Sequence, residues 1–212
     1  MAKRSAPEVN AGSMADIAFL LLIFFLVTTT IETDSGLNRK LPPIDDTEQE
    51  DVIIKEKNIF QLNVNKNNQL FLKTGGEEKV IQIKDLRKAA VAFLDNGGGT
   101  GPDACQRCQG KKNPRSSDNF DKAIISLQSD RATKYDTYIA VQNEIIAAYN
   151  TLRNREFERS FPNLGMSFVE AEKHYSDPRT PSAEKAKLKD KLEEIKILIP
   201  QKFSEAEPKK SN

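Results

Sequence analysis

The longest apolar run in the chain is Met14-Ala15-Asp16-Ile17-Ala18-Phe19-Leu20-Leu21-Leu22-Ile23-Phe24-Phe25-Leu26-Val27-Thr28-Thr29-Thr30-Ile31, broken by one charge, Asp16. About 18 residues at roughly 1.5 Å each reach about 27 Å, which is just enough to cross a bilayer. Residues 14–31 are therefore expected to form a transmembrane helix, after a short tail at 1–13. The pattern is then lost over 32–57, which contain Ser35-Gly36, Leu41-Pro42-Pro43 and an acidic cluster from Asp45 to Asp51. Paired prolines favour a stiff, extended linker there.

From residue 58 to 205 the pattern becomes that of a folded domain. Phe60, Leu62 and Val64 alternate with Gln61 and Asn63, the period-two signature of a strand with one buried face. Lys66-Asn67-Asn68 reads as a turn, Gln69–Lys73 as the returning strand, and Lys79–Ile83 as a third short strand after Gly75-Gly76. The period then changes. Leu86, Ala89, Ala90, Phe93 and Leu94 repeat at helical spacing, which predicts an amphipathic helix. Residues 97–119 are rich in Gly, Pro, Asn, Ser and Lys and read as a Gly- and Cys-containing insertion. Lys122–Gln128 reads as a buried strand. A long helix follows, its stripe formed by Tyr135, Tyr138, Ile139, Ile145, Ile146, Tyr149 and Leu152. Further helices are predicted over Phe168–Tyr175 and from a Ser182 cap through Leu198, with a last edge strand at Ile197–Phe203 limited by Pro200. Residues 206–212 are expected to be a disordered tail. The expected class is α+β, with helices packed on one sheet.

Composition narrows the function without naming it. The 32 basic and 31 acidic side chains nearly cancel, so no nucleic-acid partner is expected. Catalytic signatures are missing: Gly97-Gly98-Gly99-Thr100-Gly101-Pro102 lacks the lysine and the strand-to-helix setting of a phosphate loop. His174, the only histidine, lies in a charged segment and reads as a surface residue, which excludes histidine-based triads and metal clusters. No enzyme activity, metal or cofactor is expected. Cys105 and Cys108 form a C-x-x-C pair with three readings: a local disulfide stapling an insertion, half a zinc site, or a redox motif. No second thiol pair completes a zinc site, and a redox motif ordinarily opens a helix. The stapling disulfide is the first reading.

Asp16 carries the chemistry. An ionisable group within a spanning helix costs roughly 2.5–3.5 kcal/mol on insertion scales, and a pure anchor has no use for that penalty. A carboxylate in hydrocarbon is driven to take up a proton, so it suits a group that loads and releases protons. At 100° per residue it shares a face with Phe19, Leu20, Ile23, Val27 and Thr30, and Thr30 is placed as a possible polar relay. Thr28-Thr29-Thr30 also reads as an ordinary helix end. Lys3 and Arg4 precede the helix while Glu32 and Asp34 follow it, which places the amino terminus in the cytoplasm and the remainder outside. A cleaved secretory signal and a simple signal anchor remain alternatives for the same stretch.

Glu8-Val9-Asn10, Met14-Ala15-Asp16-Ile17 and an apolar helix closing in Val27-Thr28-Thr29 resemble the ExbD/TolR family of biopolymer transport proteins, in the ExbD-like long form of Bacteroidetes. Leu41-Pro42 and Ser129-Asp130-Arg131-Ala132 leading to Tyr135 resemble further family positions. Ser13 departs from the pattern, since many members carry a proline before the aspartate segment. The resemblance implies an inner-membrane subunit that works as a self-dimer within a pentameric ExbB-like partner. It further implies a periplasmic α+β domain that passes motion to a TonB-like protein and so powers transport across the outer membrane. Asp16 would be the proton carrier, and Leu41, Pro42 and Pro43 a partner-docking linker. A flagellar-stator-like subunit shares the single-aspartate helix, although no peptidoglycan-binding pattern is present. An anchored or secreted periplasmic binding module without energy coupling is the other alternative.

Overall fold

The computed structural model describes residues 11–28 and 54–209. These fall into two units, the first within Met1–Glu50 and the second within Asp51–Asn212. The first contributes one helix, α1 (Ala11–Thr28). It begins three residues before the predicted start at Met14, and its backbone runs through Ser13. The expected linker falls on residues that, up to 53, lie outside the described ones.

The second unit is an α+β domain built on a mixed five-stranded sheet. Its strands are β1 (Ile59–Val64), β2 (Leu70–Thr74), β3 (Glu77–Ile81), β4 (Ile124–Asp130) and β5 (Phe203–Lys209), in the order β3-β2-β1-β4-β5. The first three strands form an antiparallel meander. Asn65 closes its first turn by accepting the N–H groups of Asn67 and Gln69 on Oδ1, both at 2.9 Å. β4 lies parallel to β1, with Phe60 opposite Ile125 and Leu62 opposite Leu127. Parallel neighbours need a crossover, and α2 (Ile83–Leu94) supplies one. Alternation in β1 buries Phe60, Leu62 and Val64 and leaves Ile59, Gln61 and Asn63 partly exposed on the opposite face.

α2 buries the expected Leu86, Ala90, Phe93 and Leu94, with Ala89 packed at the margin. The long helix α3 (Tyr135–Ser160) buries Val141, Ile145, Ala148, Tyr149 and Leu152. Tyr135, expected in that stripe, is 73% exposed, because the first turn of α3 extends beyond the edge of the core. α3 is followed by α4 (Phe168–Ser176) and α5 (Ser182–Leu198). These two close a smaller second core of Phe157, Phe168, Ala171, Leu188, Leu192 and Ile195.

Two expectations at the carboxyl end are corrected. The last strand lies at Phe203–Lys209, and Ile197 and Leu198 belong to α5 instead. Residues 206–209, expected to be disordered tail, pair with β4 as an edge strand, with Ala206 opposite Gln128 and Lys209 opposite Asp130. The register shifts between Gln128 and Asp130, so Pro208 falls at an irregularity on an edge, where a missing N–H is tolerated. Ser182 is likewise not a cap: Pro181 precedes the helix and Ser182 is its first residue.

Candidate functional site: the aspartate helix and the tethered loop

Asp16 lies in the second turn of α1, the only charged side chain of that 18-residue helix. Around it the described side chains are apolar on every face and exposed. Met14, Phe19, Leu22 and Phe25 are 60–62% exposed, and Ile17, Leu20, Leu21 and Phe24 are 51–59% exposed. A helix that is apolar all round ordinarily lies in a core or in lipid. At roughly 1.5 Å per residue its 18 residues reach about 27 Å, slightly less than the ~30 Å hydrocarbon thickness. Among the described residues, no helix is long and apolar enough to cross a membrane. Thr30, Leu41, Pro42 and Pro43 lie outside the described residues.

In the domain, the sequence-predicted insertion is a loop tied down at both ends by side chains. Asn96 is the hub. Its amide donates to the carbonyls of Asn113 (2.9 Å) and Ser117 (2.8 Å), and its Oδ1 accepts the N–H of Asn113 at 3.0 Å. Asp95 accepts the N–H of Gln109 at 3.0 Å and takes a two-pronged ion pair from Arg155 on α3. At the far end Asn58 holds Asp118, donating to its carboxylate at 3.0 Å and accepting its N–H at 2.8 Å. Burial alone would raise the Asp118 carboxyl. Hydrogen bonds from Lys57 and Asn58, with the charges of Lys57 and Lys55, outweigh burial and hold it below the usual range. Asp103 is lowered chiefly by its hydrogen bond from Lys122, with Lys55 adding a second.

Cys105 and Cys108 sit inside this loop and are joined by a disulfide, with Cα atoms 5.5 Å apart. Glu156 on α3 is fully buried beneath three arginines, accepting from Arg107 at 3.4 Å and Arg155 at 3.2 Å, with Arg159 at 3.9 Å. His174 is exposed on α4. Among the described residues no three His, Cys, Asp or Glu side chains converge to hold a metal. An open recess of about 310 Å³ is lined by Glu56, Lys57, Gly75, Gly76 and Arg115, a set of charges without a nucleophile.

Sequence reasoning missed the Asn58–Asp118 and Asn96–Asn113 tethers. Isolated asparagines such as Asn58 and Asn96 carry no period that could announce long-range partners. What the arrangement offers is one carboxylate on an apolar helix and, separately, a domain in whose described residues no metal-binding cluster converges. No curated protein matches the chain. The family model described as biopolymer transport protein ExbD/TolR matches residues 2–153, covering α1, the sheet from β1 to β4, α2 and most of α3. The chain belongs to the ExbD/TolR family of biopolymer transport proteins.

Proposed function

We propose that the chain is the inner-membrane subunit of a proton-motive-force-driven complex of the ExbB–ExbD–TonB type, with Asp16 as the proton carrier. The observation that carries this reading is a single carboxylate on a helix whose described side chains are otherwise apolar and exposed on every face, in a chain of this family. In this reading residues 14–31 cross the inner membrane once, with the amino terminus in the cytoplasm and the α+β domain in the periplasm. The helices of a self-dimer sit inside a pentameric ExbB-like partner. The domain delivers the resulting motion to a TonB-like periplasm-spanning protein.

The mechanism is electrostatic. An ionised Asp16 is held by polar groups on the partner's wall, because an unpaired charge in hydrocarbon is costly. A proton arriving down its gradient neutralises the carboxylate and releases that attraction, and the helix moves to the next polar group. One elementary charge crossing 100 mV supplies about 2.3 kcal/mol, enough to bias a two-state step. Thr30 would relay protons at the periplasmic end of the segment. Leu41, Pro42 and Pro43 would form a stiff docking stretch between membrane and domain.

The test is uptake of an iron chelate through a TonB-dependent outer-membrane receptor in cells carrying Asp16→Asn. The asparagine keeps the shape and removes the proton site. Uptake should be lost while membrane fractionation of the variant is unchanged. Normal uptake would remove Asp16 from the mechanism and favour an anchored binding module.

A further inference from the structure

We propose that Cys105 and Cys108 form a thiol–disulfide exchange site that accepts two electrons from a dithiol, with Cys105 as the attacked sulfur. The disulfide contributes little to holding the loop. It joins residues only three apart, a very short loop closure, so it removes little freedom from the unfolded chain. The loop around it is already fixed by other bonds. The N–H groups of Gln109 and Gly110 donate to Asp95, at 3.0 and 2.8 Å, and that of Lys112 donates to the Asn96 carbonyl at 2.9 Å. Asn96 holds Asn113 and Ser117 from the other side. Breaking the S–S bond leaves all of these in place.

The two sulfurs stand in unequal surroundings. Cys108 is 7% exposed and packs in the core against Gly97, where an added Cβ would lie 2.7 Å from the Cys108 Cβ. Gly97 has φ +66°, so its backbone can pass close beneath the disulfide where an L side chain could not. Cys105 is only partly buried and is the more exposed residue of the two, which makes its side of the disulfide the one an incoming thiolate approaches. Its Sγ also accepts the N–H of Cys108 at 3.1 Å. A donor aimed at sulfur stabilises a thiolate there, which favours release of Cys105 in the second step.

The exchange balances in two displacements. One thiolate of the dithiol attacks Cys105 Sγ, forming a mixed disulfide, and the electron pair of the broken bond passes to Cys108 Sγ, which takes up a proton. The dithiol's second sulfur, deprotonated, then attacks its own partner sulfur in the mixed disulfide. Cys105 leaves as a thiolate beneath the Cys108 N–H. The dithiol ends as a disulfide and the loop as a dithiol. The fitting partner is a dithiol protein with an exposed reactive thiolate. This chemistry is independent of the proton coupling proposed for Asp16.

The experiment compares reduction by dithiothreitol of the oxidised full-length chain, native and urea-denatured, with free thiols counted by alkylation and mass. Accessible exchange predicts a native rate no more than about tenfold below the denatured one, with an unchanged circular-dichroism spectrum after reduction. A slower native rate, or loss of structure on reduction, would overturn the proposal and leave a structural staple. The single-cysteine variants assign the sulfur. With glutathione disulfide, Cys108→Ser should form a mixed disulfide at Cys105 at least about tenfold faster than Cys105→Ser forms one at Cys108. A smaller difference between the two would equally overturn the assignment.

Discussion

The domain holds two cores, and they close in different ways. The larger lies between the sheet and helices α2 and α3, where Phe60, Leu62, Leu86, Ile125 and Ile145 are at most 1% exposed. The smaller lies among helices alone, with Phe157, Phe168, Ala171 and Ile195 fully buried where α4 and α5 meet the end of α3. The first is cross-linked by strand pairing from β3 to β5, the second only by side-chain contacts. The family match ends at residue 153, close to the border between them. The segment beyond it continues α3, adds two helices, and returns to the sheet as β5. That segment also reaches back into the rest of the domain, since Arg155 and Glu156 pair with Asp95 and Arg107 and β5 pairs with β4, so the loop is held in part from the end of α3.

The largest effect that sharpens this comparison is Phe60→Ala. Phe60 packs on Phe93 with ring centroids 5.1 Å apart, and its removal should cost ~3–5 kcal/mol in urea unfolding of the domain. Phe168→Ala should cost about 3 kcal/mol, with hydrogen-exchange protection falling in α4 and α5 but not in β1 or β4. Equal loss of protection in β1 would show one cooperative unit and break the comparison.

Arg153 stands between the cores and couples them. It is buried, donates Nε (3.1 Å) and Nη2 (2.9 Å) to the Ile199 carbonyl, and lies over the rings of Tyr149 and Phe168. Burial lowers its pKa, while the charges of Glu172 and Tyr149 work the other way. Arg153→Met keeps much of the volume but leaves a buried carbonyl without those donors, which should cost about 1–3 kcal/mol. If the variant unfolds like the parent, the two cores are not joined through this residue.

How much of this was legible follows the same division. β1, β2 and α2 could be read from residues such as Phe60, Leu62 and Leu86 because one wet face and one dry face impose a period. β5 was not, since Glu205, Glu207 and Pro208 make a poor strand alone and pair only because β4 offers an open edge. The loop resisted for another reason: Asn58, Asn96 and Asp95 act at long range, and no local pattern reports that. In the candidate site, Asp16 stood out because a charge inside an apolar run is costly. Thr30 and Leu41–Pro43 lie outside the described residues and stay with the proposal.

The smallest expected effect concerns a signal that was present and passed over. Ser167-Phe168-Val169-Glu170 is a capping box at the start of α4: the Glu170 N–H donates to Ser167 Oγ, and the Ser167 N–H donates to the Glu170 carboxylate at 2.8 Å. Ser182, read as a cap from sequence, sits after a proline and caps nothing. Ser167→Ala should cost ~1 kcal/mol, read as lost protection in α4 and α5. The box also carries a pH signature. Hydrogen bonds from the Ser167 backbone, then its side chain, lower the Glu170 carboxyl below its ordinary 4.5. A group lowered in the folded state adds stability that is present above its unfolded value and lost as pH falls through its folded one. Protection of α4 should therefore fall as the pH drops below about 4.5, and do so less in Ser167→Ala, where part of the lowering is gone. An unchanged pH dependence in the variant would mean that the backbone N–H of residue 167 alone holds the carboxylate. The small core would then depend on the box for geometry more than for charge.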